Sequence, residues 1–215
     1  WNDQAYAITS EPLVFVYNKA LMPPEDVPGS HEELADLLRR NPDAYRGKIA
    51  SYDPELSGTG YLYHTQDLML SRDTLDLVQA VGRTQPKFYD SGAEVRNRVS
   101  SGEHLLGYNM VYSYMVVRRA QHPDIGIVFP SDYTLAMSRV AFITKTARHP
   151  AASKLFLDFL LSARGQDIMA RQLMQPIRDG IAMSGETPSP EILRPLHFGP
   201  SLLANLDEVR RGRVL

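Results

Sequence analysis

Cysteine is missing from all 215 positions. That excludes a disulfide scaffold, thiolate zinc and iron–sulfur sites, and a cysteine nucleophile. It does not fix the compartment, because a chain without thiols suits either redox environment. An excess of one charge is also missing. Lys and Arg total 23 and Asp and Glu total 25, a formal net charge of -2, whereas a nucleic-acid binder carries a basic surface excess. No nucleic acid is therefore expected as a partner. No apolar run approaches the ~18 residues of a membrane span. The first residues, Trp1-Asn2-Asp3-Gln4, lack the basic and apolar regions of a signal peptide. The six histidines (31, 64, 104, 122, 149, 197) are scattered, and none pairs with another at helical metal-ligand spacing. No metal and no cofactor is expected. Neither a G-x-S-x-G elbow nor a P-loop occurs, so no catalytic residue is assigned and the chain is not expected to be an enzyme.

What is present is alternation. Short β-branched and aromatic runs read as strands covered on both faces: Leu13 to Tyr17, Lys48 to Ala50, His104 to Tyr108, Ile125 to Phe129 and Val140 to Ile143. Segments of helical period lie between them. Ser30-His31-Glu32-Glu33 fits a capping box, and Ser91-Gly92-Ala93-Glu94 fits another. Asp73 or Ser71 is expected to cap a helix with Leu75, Val78 and Val81 inward and Gly82 as its stop. Pro150 opens the strongest amphipathic stripe, Leu155, Phe156, Phe159 and Leu160, which Gly165 is expected to break. From Ser184 to Pro200 the composition predicts an irregular connection before a last helix around Leu202 to Arg210. Strands alternating with helices predict an α/β fold, and the internal boundary falls near Pro130-Ser131-Asp132.

Three places carry candidate chemistry. Ser57-Gly58-Thr59-Gly60 precedes an apparent helix, Tyr61 to Leu70. Free N–H groups at a helix start can hold a phosphate, carboxylate or sulfate, and the same residues also suit a plain capped helix start. Tyr108-Asn109-Met110-Val111-Tyr112 lies where a strand ends and a helix follows, the end at which open α/β sheets bind ligands. The alternative there is a set of core-edge aromatics with wet hydroxyls. Arg139, beside the strand Val140 to Ile143, needs a carboxylate partner or an anionic ligand.

In order and spacing, several stretches resemble family 1 extracellular solute-binding proteins of bacterial ABC importers, in the branch of ferric-iron, phosphonate and sugar-phosphate receptors. They are Pro12 to Lys19, Tyr45 to Ala50 followed by Ser57-Gly58-Thr59-Gly60, Ser101-Gly102-Glu103 leading into Leu106 to Asn109, and Ala147 to Ala152 running on to Ser162 and Gly165-Gln166. The resemblance implies a type II periplasmic-binding-protein fold. Two α/β lobes with mixed sheets flanked by helices would close on a cleft like a hinge. Residues 13–131 would form lobe two and 134–215 the returning part of lobe one. The first part of lobe one would lie upstream of Trp1, with a periplasmic location.

By the same resemblance the function is binding of a small anionic solute, phosphorylated or carboxylated, and its delivery to a membrane permease without covalent chemistry. Ser57, Gly58, Thr59, Tyr108, Asn109, Tyr112 and Arg139 are the expected ligand-binding residues, with Ser57 close to Tyr108. A ligand-sensing periplasmic domain of a signalling receptor is the first alternative and a ferric-iron receptor the second. Ferric-binding members usually show adjacent tyrosines, whereas Ser113 separates Tyr112 from Tyr114 here. Two residues apart on a helix point about 200° apart. A hydrolase or transferase would rest on fold class alone. Phe156, Phe159 and Leu160 are expected to be buried. Some other apolar surface of 134–215 is expected to be open or covered by a second copy.

Overall fold

A computed structural model describes residues 4–183, 185–197 and 199–214. In chain order the strands are β1 (Ala5–Ala7), β2 (Glu11–Asn18), β3 (Ile49–Tyr52), β4 (Lys87–Tyr89), β5 (Leu106–Val111), β6 (Ile125–Val128), β7 (Thr134–Met137), β8 (Val140–Phe142) and β9 (Leu193–Pro195). The helices are α1 (His31–Arg40), α2 (Gly58–Leu70), α3 (Thr74–Arg83), α4 (Gly92–Ser100), α5 (Tyr112–Gln121), α6 (Pro150–Leu161), α7 (Ala163–Arg171), α8 (Pro200–Leu203) and α9 (Glu208–Val214).

Strand β2 organises the molecule. Its run Leu13-Val14-Phe15-Val16 is at most 1% exposed, as a strand covered on both faces should be. Along one edge it pairs antiparallel with β5. Its second half, Phe15 to Asn18, pairs with β6, and its first two residues pair with β7. The main sheet therefore runs β4-β3-β5-β2-β7-β9 with β6 alongside β2, while β1 and β8 form a separate pair. Strands β3, β4 and β5 are mutually parallel. Phe15, Leu34, Leu38, Leu77 and Leu106 close the core beneath α1 and α3. Val14, Val16, Val95, Val99 and Met115 close it beneath α4 and α5.

Serine hydroxyls set the helix starts. Ser30, Ser57, Ser91 and Ser162 each accept the N–H three residues on, from Glu33, Gly60, Glu94 and Gly165, which satisfies one of the orphan donors of the first turn. The reciprocal arms of the two expected boxes go elsewhere. Glu33 accepts from the Gly29 N–H, and Glu94 pairs with Arg98.

Four local expectations are corrected. The inward face of α3 is Thr74, Leu77 and Ala80, while Leu75 and Val78 are 58% and 41% exposed. The Thr74 hydroxyl donates to the Asp67 carbonyl and pins that face inward. The same helix runs through Gly82 to Arg83 and stops at Thr84, whose hydroxyl donates to the Val81 carbonyl. The stripe from Pro150 is broken by the Ser162 cap rather than by Gly165. That glycine lies inside the first turn of α7, where a Cβ would meet the Phe159 carbonyl. Finally, Phe156 and Phe159 are exposed at 61% and 40%, Leu160 is half-buried, and α6 has no buried residue. The described residues supply α7 as its neighbour and no layer beneath the phenylalanines.

This contrast gives a stability test. Phe15→Ala should cost about 3–5 kcal/mol in urea unfolding. Phe156→Ala should stay within roughly 1 kcal/mol, since most of that side chain is already exposed. Equal losses would contradict the burial pattern.

Candidate functional site

Because β3, β4 and β5 run parallel, their carboxyl ends lie together and feed the starts of α2, α4 and α5. This is the end of an open α/β sheet where ligands collect. β2 runs antiparallel to β5 with Leu13 opposite Val111, so Glu11 and Ser113, two residues further on, reach the same end. β7 pairs with Glu11 and Pro12 and brings Arg139 there.

The Arg139 Nε donates to Glu11 Oε1 at 2.8 Å, and its Nη1 donates to the Tyr114 hydroxyl at 2.9 Å. The guanidinium also stands 5.1 Å from the Tyr114 ring centre. Burial opposes its charge, but Glu11 and Tyr114 outweigh that and raise its pKa further. Glu11 is fully buried. Around this pair, Glu11 Oε2, the Tyr63 hydroxyl and Ser113 Oγ are buried with no hydrogen-bond partner among the described residues. Burial, then the neighbouring Tyr52 and Glu11, drive the Tyr63 pKa far up, so its oxygen stays a neutral hydroxyl. Tyr52, set edge-on to Tyr63 at 5.8 Å, is pushed up to about 12 by burial. The first turn of α5, which carries Ser113, has no side-chain cap. Its N–H groups and dipole therefore face this end unshielded.

A second network lies deeper. Asp67 on α2, only 1% exposed, accepts from the Tyr108 hydroxyl (2.8 Å), the Asn109 amide (2.6 Å) and the Tyr133 hydroxyl (3.0 Å). Tyr108 and Asn109 are consecutive, and regular alternation would point them to opposite faces. The pairing of β2 with β5 slips here: Val14 faces Met110 while Val16 faces Gly107. Asn109 takes a φ of 55°, a conformation asparagine tolerates better than most residues. The resulting bulge turns both side chains onto Asp67. His31 stacks on Tyr133 at 4.0 Å and bonds Asp132 at 2.8 Å. Partial burial pushes Asp132 up, yet His31 outweighs it and holds the carboxyl below its ordinary range.

The expected site residues therefore separate. Ser57 is spent capping α2, while Gly58 and Thr59 are exposed at its start. Tyr108 and Asn109 meet α2 at Asp67, ten residues and ~15 Å further along the helix, so the Ser57 and Tyr108 hydroxyls do not share a point. The Tyr112 hydroxyl accepts from the Glu186 N–H, inside the protein. Arg139 is at the sheet end, in the ion pair its sequence setting suggested. No two tyrosines converge across Ser113, because Tyr112 turns to Glu186 and Tyr114 to Arg139. Glu11, Tyr63 and Ser113 were not singled out by sequence. The one available signal was Glu11, a carboxylate directly before an apolar strand. Among the described residues no group of three or more His, Cys, Asp or Glu could hold a metal.

A family described as bacterial extracellular solute-binding protein matches residues 2–174. The chain belongs to that family. A solved substrate-binding protein of an ABC transporter from Agrobacterium tumefaciens is 37% identical, with a TM-score of 0.88 over 100% of this chain and 66% of its own. Iron-bound HitA of Pseudomonas aeruginosa is 20% identical, TM-score 0.73, with 99% of this chain and 70% of its own covered. AfuA of Actinobacillus pleuropneumoniae, solved with fructose 6-phosphate, is 20% identical, TM-score 0.71, with 98% and 66% covered. These last two show the shared fold, the periplasmic-binding-protein fold with mixed sheets flanked by helices. A Haemophilus influenzae protein is 24% identical over 150 residues, 69% of this chain and 41% of its own length. The chain thus spans about two fifths of that relative and about two thirds of the solved structures. Among the described residues no helix is long and apolar enough to cross a membrane.

Burial raises the Asp67 pKa above its ordinary 3.8, against His31 and the three donors. The native state then binds the proton more tightly than the unfolded state. This contribution to stability is complete below about 3.8 and is lost as pH rises through the raised folded value. Urea unfolding of wild type and Asp67→Asn from about pH 4 to about pH 8 should show wild type losing ground to the variant as pH rises. A gain would mean that the three donors prevail over burial.

Proposed function

We propose that the protein is the periplasmic solute-binding component of an ABC importer. It takes a small anionic solute, phosphorylated or carboxylated, at the carboxyl ends of β3–β5 and hands it to a membrane permease without covalent chemistry. Family membership supports the solute-binding role. The observation that carries the site is the group of buried, unpartnered polar atoms, Glu11 Oε2, Tyr63 OH and Ser113 Oγ, beside Arg139.

Buried polar groups are normally hydrogen-bonded, and an unpaired one costs roughly 1–3 kcal/mol. Three such atoms around one ion pair fit a surface shaped for a ligand rather than for the fold alone. The uncapped start of α5 and Arg139, bound through Nε and Nη1, favour the anionic group. Glu11 Oε2 can only accept, so it suits a hydroxyl or ammonium on the same solute. Gly58 and Thr59, exposed at the start of α2, supply a second set of helix-terminal N–H groups on this side. In this reading β2 and the segment around Arg139 would be the two crossings of a hinge, with the lobe boundary near residue 131.

Calorimetry with fructose 6-phosphate, inorganic phosphate and succinate tests the assignment. At least one should bind, and Tyr63→Phe and Ser113→Ala should each weaken the best of them about tenfold, or ~1.4 kcal/mol. Neither variant should lower the unfolding temperature, since each removes an unpaired hydroxyl. Unchanged affinity together with lowered stability would make these hydroxyls structural. Absence of binding by all three probes would overturn the anionic-solute reading.

A further inference from the structure

A cavity of about 380 Å³ lies between the sheet and the helices α2 and α3, and it shares Tyr63 with the Glu11–Arg139 end. Its walls are apolar or aromatic: Ile49, Tyr63, Leu77, Val78, Val81 and Phe88. Val78 and Phe88, at 41% and 47% exposure, stand at its mouth between α3 and the edge strand β4. The volume falls in the range of small-molecule sites. Filled with water it would hold on the order of ten molecules, each needing two to four polar partners, and these walls offer few.

Asp67, Ser51 and Thr74, polar residues of its lining, are already engaged. Asp67 accepts three hydrogen bonds, from Tyr108, Asn109 and Tyr133. The Ser51 hydroxyl donates to the Tyr108 carbonyl, and the Thr74 hydroxyl to the Asp67 carbonyl. The Tyr63 hydroxyl at its wall is unpaired, but no Lys or Arg lines the cavity, and a charged group entering here would lose its hydration with little compensation. Aromatic rings from Tyr63 and Phe88 offer faces and edges to another ring. The cavity lacks the Glu11–Arg139 ion pair that marks the carboxyl ends of the strands.

We propose that this cavity is a second binding site, for a neutral, ring-bearing small molecule that enters between α3 and β4. Its occupant would touch α2 and α3 together and fill space that the protein's own side chains leave open.

Indole, a neutral bicyclic probe, tests the site by calorimetry and by methyl NMR on the intact protein. Wild type should bind it one to one and saturably, with shifts concentrated at Ile49, Leu77 and Val81. Val78→Trp, which places a large side chain at a partly exposed position of the mouth, should weaken indole at least tenfold. Phe156→Ser, on the open apolar face of α6, should change nothing. Three results would overturn the proposal: no saturable binding, an affinity unaffected by Val78→Trp while circular dichroism shows that variant folded, or an affinity lost in Phe156→Ser. If Val78→Trp does not fold, the wild-type methyl shifts decide, and shifts spread over Leu155 and its neighbours rather than the cavity count against it.

Discussion

A carboxylate with no access to water, Glu11, sits at the first residue of the most buried strand in the protein, held by the guanidinium of Arg139. The two come from segments far apart in the chain, one entering β2 and one leaving β7. A buried ion pair of this kind contributes little net stability, but loss of either partner leaves an uncompensated charge. The pair therefore acts as a constraint more than as a source of stability. It fixes how the two segments meet, and the carboxyl ends of β3, β4 and β5 are arranged around that junction. Tyr114, Tyr63 and Ser113 take their places relative to it.

The two polar networks divide the labour. The Asp67 network is closed at its carboxylate, which accepts from Tyr108, Asn109 and Tyr133 and ties α2 to β5 and to the segment before β7. Such a network rigidifies a scaffold. The Glu11 network is open, with three buried atoms lacking partners. On the proposed function, the closed network would hold the scaffold still while the unpartnered atoms beside Arg139 meet the ligand, the preorganisation that tight binding uses.

Much of the fold was legible because its signals are local. A serine directly before a helical segment is a strong cap signal, and Ser30, Ser57 and Ser91 act as caps, whereas neither Ser71 nor Asp73 caps α3 with its side chain. The runs beginning at Leu13, Ile125 and Val140 are strands because β-branched and aromatic residues leave few other options. What escaped depends on contacts distant in sequence. The bulge at Asn109 arises from slippage against β2, more than 90 positions away, and it diverts Tyr108 and Asn109 from the place their spacing suggests. The short strands Lys87–Tyr89 and Leu193–Pro195 have too little apolar content to be read locally and exist because a neighbour offers an edge. The α6 stripe is strongly apolar, yet burial needs a partner layer that the described residues do not supply. The open site was illegible for the same reason. Glu11, Tyr63 and Ser113 lie far apart in sequence, and only the fold shows that they lack partners.

The account stands most directly on where an anionic solute sits. A crystal structure of the protein grown with whichever of fructose 6-phosphate, inorganic phosphate or succinate binds most tightly would decide it. The account predicts electron density within hydrogen-bonding distance of Ser113 Oγ and Arg139, at the start of α5. Density elsewhere, with the Glu11, Tyr63 and Ser113 atoms still unpartnered in the complex, would contradict it.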